Sequence, residues 1–226
     1  MVSPLPVSAR SVAAVPGVAK TTPEFRAALW ELASRNGWDV DGIAAVMSIE
    51  SGFDPAAKNP STTASGLIQM IDSTARSVGV GGGAAELREL SAVQQLPYVE
   101  RYYKRAFFGL TTPRVHDFYL AGFGKGVGQA DGYVLADEND PLIYKDGTAN
   151  AYILNAGLDV SADGLITVGD IRKVIQSRLD AANGKRVDAS AVALAGVGLD
   201  WFAAALVGGV LWLNRRTVMR WIGRKT

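Results

Sequence analysis

Between residues 24 and 123, apolar side chains recur at three- and four-residue spacing, and no convincing period-two run interrupts them. The spacing predicts helices over about 24–36, 40–51, 70–78, 91–107 and 114–123, and hence an all-α fold. Thr22 followed by Pro23 marks a helix start, because a hydroxyl caps free N–H groups and proline suits the first turn. Asp39 or Asp41 caps the second helix, and Gly52 stops it. Gly79-Val-Gly-Gly-Gly83 reads as a loop, not a phosphate cradle, since no Lys-Ser or Lys-Thr follows it.

The two ends carry different patterns. Residues 1–20, rich in Ser, Pro, Ala and Val, lack the sustained apolar run of a secretory signal and read as a flexible N-terminal arm. Residues 183–190 are polar and read as a linker. From Ala191 to Leu213 the only charge is Asp200, and a helix of that length would be about 34 Å long, enough for a bilayer core. Arg215, Arg216, Arg220, Arg224 and Lys225 follow without an acid, so the positive-inside rule keeps the basic tail, 214–226, cytoplasmic. The expectation is a single-pass transmembrane helix over 191–213, with a lipid bilayer as partner. A buried apolar helix of a soluble assembly is the alternative. Asp200, which costs about 3 kcal/mol at mid-bilayer, points to a contact with self or with other membrane proteins.

Composition removes several classes. The chain of 226 residues accommodates one domain of ordinary size plus small attachments. A net charge of +1 leaves no footprint for nucleic acid. Without cysteine there is neither a disulfide framework nor a thiolate metal site. His116 is the only histidine, and no Gly-x-Ser-x-Gly elbow is present, which argues against a Ser-His-Asp hydrolase. His116 reads as a helix-surface or capping residue.

Candidate chemistry begins at Glu50. Ile43, Val46, Met47 and Glu50 share one face of the second helix, so a carboxyl stands beside three apolar side chains near a helix C-terminus. Desolvation and the partial negative charge of the helix end both disfavour the carboxylate, leaving an acid able to protonate a leaving group. Alternatively, Glu50 snorkels off the helix end into water.

The segment that follows runs Glu50-Ser-Gly-Phe-Asp-Pro55, then Gly66-Leu-Ile-Gln-Met70, then Thr74-Ala75. It resembles the soluble lytic transglycosylases of the lysozyme superfamily, which carry Glu-Ser-x-Phe-x-Pro, Gly-Leu-Met-Gln and a Thr-Ala pair. Ile68 replaces the Met of that pattern. The resemblance covers about 21–133. The family's Ala-Tyr-Asn-Ala-Gly run is replaced by Phe118-Tyr-Leu-Ala-Gly-Phe123, similar to a variant in phage-encoded members. This resemblance implies a lysozyme-like transglycosylase domain, placed at 21–148, that acts on peptidoglycan glycan strands. It implies Glu50 as the catalytic residue and a substrate-binding set in which Ser51 orients the acid or the N-acetyl group, Gln69 contacts the sugar or the acid, and Tyr119 lines the cleft and steadies developing charge; Tyr119 is otherwise a core aromatic.

Retaining and inverting glycosidases place two carboxyls across the scissile bond. Here only Glu50 is well supported, with Asp54 held in an Asp-Pro turn. One acid suits the lytic transglycosylase route, in which the sugar's own C6 hydroxyl attacks C1. A hydrolytic muramidase of the same fold, or a wall-binding protein that does not cut, are the rivals. A domain that must reach the wall without a signal peptide suggests a virion-borne protein that opens peptidoglycan during genome entry. A secretion or conjugation enzyme is the alternative.

A second motif, Asp159-Val-Ser-Ala-Asp-Gly-Leu-Ile-Thr-Val-Gly-Asp170, has EF-hand spacing. Its expected calcium ligands are Asp159, Ser161, Asp163, the Leu165 carbonyl, Thr167 and Asp170, with Gly164 at the sharp turn. Asp170 stands where glutamate is usual. The competing reading makes Thr167 an N-cap, with Asp170 reaching back to it. On the first reading, residues 149–182 form an EF-hand-like calcium module with a structural Ca2+.

Overall fold

The computed structural model describes residues 10–139 and 151–190, which belong to one compact unit. The chain opens with strand β1 (Ser11–Ala13) and a 3-10 turn at Val18–Lys20, followed by helices α1 (Pro23–Asn36) and α2 (Val40–Glu50). Short helices α3 (Asp72–Ser77) and α4 (Gly83–Leu87) lead to α5 (Ala92–Ala106) and α6 (Asp117–Phe123). Strand β2 (Val134–Asp137), α7 (Ala151–Asn155), β3 (Leu165–Thr167), α8 (Val168–Asp180) and β4 (Arg186–Asp188) complete the order. The unit is rich in helix, as the periodicity predicts.

The local signals act as chemistry requires. Thr22 accepts from the Phe25 N–H at 3.2 Å. Of the two candidate caps of α2, Asp39 serves, accepting from the Asp41 N–H at 2.8 Å. Helix α2 is buried on every side from Gly42 to Ser48, as expected of a helix at the centre of a core. Helices α1, α6 and α8 and strand β1 all pack on it. Trp38, Tyr103, Phe107 and Phe118 form an edge-to-face and stacked cluster with ring centroids 5.0–6.0 Å apart, which sets α6 against α5.

Three expectations are corrected. The first is the flexible arm: residues 10–20 are built into the core. Val12, Val15 and Val18 are at most 1% exposed, and β1 pairs antiparallel with β4, Val12 opposite Val187. The second is the linker over 183–190, which instead contains β4. There Arg186 makes a paired contact with Asp41 at 2.8 and 3.0 Å, and Asp41 also accepts from the Ala13 N–H at 2.8 Å. The third is a separate module over 149–182. Val168, Ile171 and Ile175 join the same apolar cluster as Ile43 and Met47, and β3 pairs with β2.

Four short strands and α4 were not expected. Three- and four-residue strands are too brief to show a period of two. Among the described residues no helix is long and apolar enough to cross a membrane. The stretch 191–213 and the basic tail lie outside the described residues.

Candidate active site

Helix α2 delivers Glu50 to the edge of a cleft of about 440 Å³. One wall is the turn Ile68, Gln69, Met70 and Ile71, continued by Thr74. Tyr102 of α5 and Tyr119 and Phe123 of α6 form the other side, and Lys125, Leu135, Ala151 and Asn155 extend it. Among the described residues that line this cleft, Glu50 is the only carboxyl. Asp54 is exposed, and its carboxylate accepts from the Ala56 N–H at 2.8 Å, closing a turn outside the cleft.

Burial pushes the Glu50 carboxyl up to about 7, while hydrogen bonding from Tyr119 pulls it down by a smaller amount. Desolvation outweighs that bond because the acid is largely withdrawn from water. Burial also pushes Tyr102 up to about 12, with a further push from the nearby Glu50 charge. The Tyr119 hydroxyl is raised by the same two causes and by its bond to Glu50. It is therefore a donor, held neutral.

The structure brings Glu50, Gln69 and Tyr119 together and sets Ser51 apart. Tyr119 lies against Phe123 at a 6.3 Å centroid distance and still lines the cleft. Gln69 has φ 49, a left-handed conformation uncommon outside glycine. Its amide donates to the Gly66 carbonyl at 3.0 Å, holding the side chain across the turn. Ser51, expected to orient either the acid or the N-acetyl group, is not among the lining residues. Its hydroxyl lies 3.1 Å from the Met47 carbonyl and 2.9 Å from that of Leu67, and it accepts from the Phe53 N–H at 3.2 Å. Ser51 thus ties the end of α2 to the motif turn and positions its neighbour Glu50.

Sequence reasoning missed Gln95, which holds that turn from behind. It is 1% exposed; its carbonyl accepts from the Leu67 N–H at 3.0 Å, and its amide donates to Pro55 and Leu87 carbonyls at 2.7 and 2.8 Å. Gly66, at φ 77, is pressed so close that a Cβ would stand 2.6 Å from the Gln95 side-chain oxygen. The glycine of the Gly-Leu-Ile-Gln motif is thereby explained. Gln95 adjoins Leu96 on the apolar face of α5, and a polar residue in that stripe was the available signal.

In the second motif, the acids satisfy a turn and a cap. Thr167 and Asp170 form a reciprocal capping box at the start of α8. Asp159 accepts from the Tyr152 hydroxyl at 2.8 Å and from the Gly164 N–H at 3.0 Å. Asp163 accepts from the Leu165 N–H at 3.0 Å, and Ser161 donates to Asp170 at 3.0 Å. Among the described residues no three acidic or imidazole side chains converge as metal ligands.

Residues 29–95 match a family model described as a transglycosylase SLT domain, a match covering less than half of the chain. No curated protein matches the chain. The matched segment is similar to transglycosylase SLT domains, and the match supports a lytic transglycosylase of the lysozyme-like superfamily with peptidoglycan as substrate. It includes Glu50, Ser51, Gln69 and Gln95 and ends before Tyr102, Tyr119 and Lys125.

Proposed function

We propose that the protein cleaves the β-1,4 bond between N-acetylmuramic acid and N-acetylglucosamine without water, leaving a 1,6-anhydromuramyl end. The supporting observation is a cleft carboxyl held up to about 7, with no second acid among the described lining residues. Protonated Glu50 gives its proton to the glycosidic oxygen as the bond from C1 to that oxygen breaks. The C6 hydroxyl oxygen then bonds to C1, and its proton returns to the Glu50 carboxylate. Atoms and charge balance with no added nucleophile. Tyr119 faces the carboxyl and favours its charged form once the proton is given up, and Gln69 presents a polar edge to the sugar.

Mass analysis of digested muropeptides tests this reading. Ends lighter by one water than reducing sugars are expected. Reducing ends would establish a hydrolytic muramidase instead, and no cleavage would favour a wall-binding protein.

Two further proposals concern the rest of the chain. The apolar stretch 191–213 anchors the protein in a membrane, cellular or virion-borne, with the domain on the wall side. The support is its length and the basic residues after it. Full-length protein should float with lipid vesicles, and a chain ending at Ser190 should not; equal behaviour would remove the anchor. The loop from Asp159 to Asp170 takes a structural calcium ion, supported by its oxygen-bearing donors and by Gly164 at φ 84. The ion would have to replace the hydrogen bonds these acids now make. Calcium should raise the melting temperature of the wild type and much less that of Asp163→Ala; no calcium response would leave only the capping turn.

A further inference from the structure

We propose that Lys125 is a specificity-determining residue whose ammonium receives a carboxylate carried by the muramyl substituent of the glycan. The inference rests on the peptidoglycan reading and names which part of the polymer the far wall of the cleft recognises.

Lys125 is the only cation among the described residues lining the cleft. With Glu50 mostly neutral below about pH 7, it is also the only fixed charge among those described residues. Its side chain is exposed and makes no ion pair among the described residues. By contrast, Lys104, Lys173 and six arginines of the described chain have carboxylate partners. An unpaired ammonium in a cleft leaves its charge available to a ligand.

The backbone presents this residue from a fixed place. Lys125 follows α6 between Gly124 at φ 66 and Gly126 at φ 88. Gly126 is pressed into the core: a Cβ there would lie 2.6 Å from Leu135 Cδ2 and 3.3 Å from Leu120 Cδ2 and Val168 Cγ2. The turn is therefore held from inside by α6, β2 and α8, while Lys125 reaches the cleft. Tyr119 on the same helix faces Glu50, so one short element ties the acid's partner to the cation.

The chemistry of the substrate supplies the ligand. Each muramic acid bears a lactyl group that either ends in a free carboxylate or carries a peptide stem with its own carboxylates. Neutral glucosamine units offer no such group. An ammonium therefore distinguishes muramyl from glucosaminyl positions and helps set the register of the strand over Glu50. A lysine just past a helix end also offsets the helix dipole and so adds to stability. That role would appear in melting and not in substrate affinity.

The test uses the full chain as wild type, Lys125→Gln and Lys125→Arg. Substrates are glycan strands with intact stems, strands stripped to the free lactyl carboxylate, and intact strands with their carboxylates amidated. On whichever carboxylate source is used, Lys125→Gln should raise KM about tenfold, with kcat within about twofold, and weaken the salt dependence of KM. Lys125→Arg should restore most of the affinity. Amidation should bring wild-type KM to the level of Lys125→Gln. The stem-bearing or the stripped strand, whichever loses more affinity in Lys125→Gln, identifies the carboxylate recognised. Wild-type cleavage with an unchanged KM in Lys125→Gln, a loss confined to kcat, or no rescue by arginine would overturn this proposal alone. A wild type that cuts none of the strands would overturn the peptidoglycan reading and this proposal with it.

Discussion

Glu50→Gln is expected to lower cleavage by about 10²–10⁴, the usual contribution of a general acid, while making the protein more stable at neutral and alkaline pH. The amide keeps the shape of the carboxyl but has no acidic proton to give. The stability effect follows from linkage. Burial raises the folded carboxyl from 4.5 to about 7, so the folded state holds its proton where the unfolded chain releases it. The stabilisation is complete below about pH 4.5, is lost as pH rises through about 7, and its loss amounts to about 3 kcal/mol above that. Gln cannot ionise, so the variant escapes this loss. Melting temperatures should be similar at pH 4 and should favour the variant at pH 8. Activity of the wild type should fall as pH rises through about 7, where the folded carboxyl loses its proton. Tyr119→Phe removes the bond that lowers the Glu50 pKa, and its alkaline limb should therefore lie higher. Substantial turnover by Glu50→Gln, or equal pH dependence of melting in the two proteins, would sink the assignment of Glu50 as a buried acid.

Deleting residues 1–16 is expected to remove most of the stability of the domain. Val12 and Val15 are at most 1% exposed, and burial of such side chains contributes about 1.5–3 kcal/mol each. The deletion also strips Val187 of its strand partner, takes the Ala13 N–H from Asp41 and leaves the Ser48 hydroxyl without the Pro16 carbonyl it meets at 2.6 Å. Together these losses approach the ~5–15 kcal/mol by which whole domains are stable. Ending the chain after Ala182 should act similarly, because it removes β4 and the Arg186 contact with Asp41. Ending it after Ser190 leaves every one of these contacts in place. Urea unfolding of the three truncations decides the matter. If the chain lacking residues 1–16 unfolds at nearly the urea concentration of the full-length protein, the paired ends contribute little.

What the sequence by itself determined is local. Thr22 and Asp39 cap helices because a short oxygen-bearing side chain meets an N–H two or three residues on, whatever the surrounding fold. Ile43, Met47 and Glu50 share a face because 3.6 residues make a turn, so an acid amid apolar neighbours was legible, and its motif partner Gln69 with it. The capping box of Thr167 and Asp170 is of the same kind.

Only the tertiary structure decided how distant segments use each other. Arg186 and Ser11 lie 175 positions apart, yet the arginine donates to the serine hydroxyl at 2.7 Å. Strands of three residues show no period that would announce their pairing. Asp41 looked like a spare cap until β1 and Arg186 claimed it. Ser51 turns to the Leu67 carbonyl and away from the cleft because packing of the motif turn on Gln95 brings that carbonyl within reach. Lys125 and Asn155 enter the cleft only once α6 and α7 are folded beside α2. A side chain's neighbours along a helix are fixed by the repeat of the backbone; its neighbours across the core are fixed by which surfaces exclude water together.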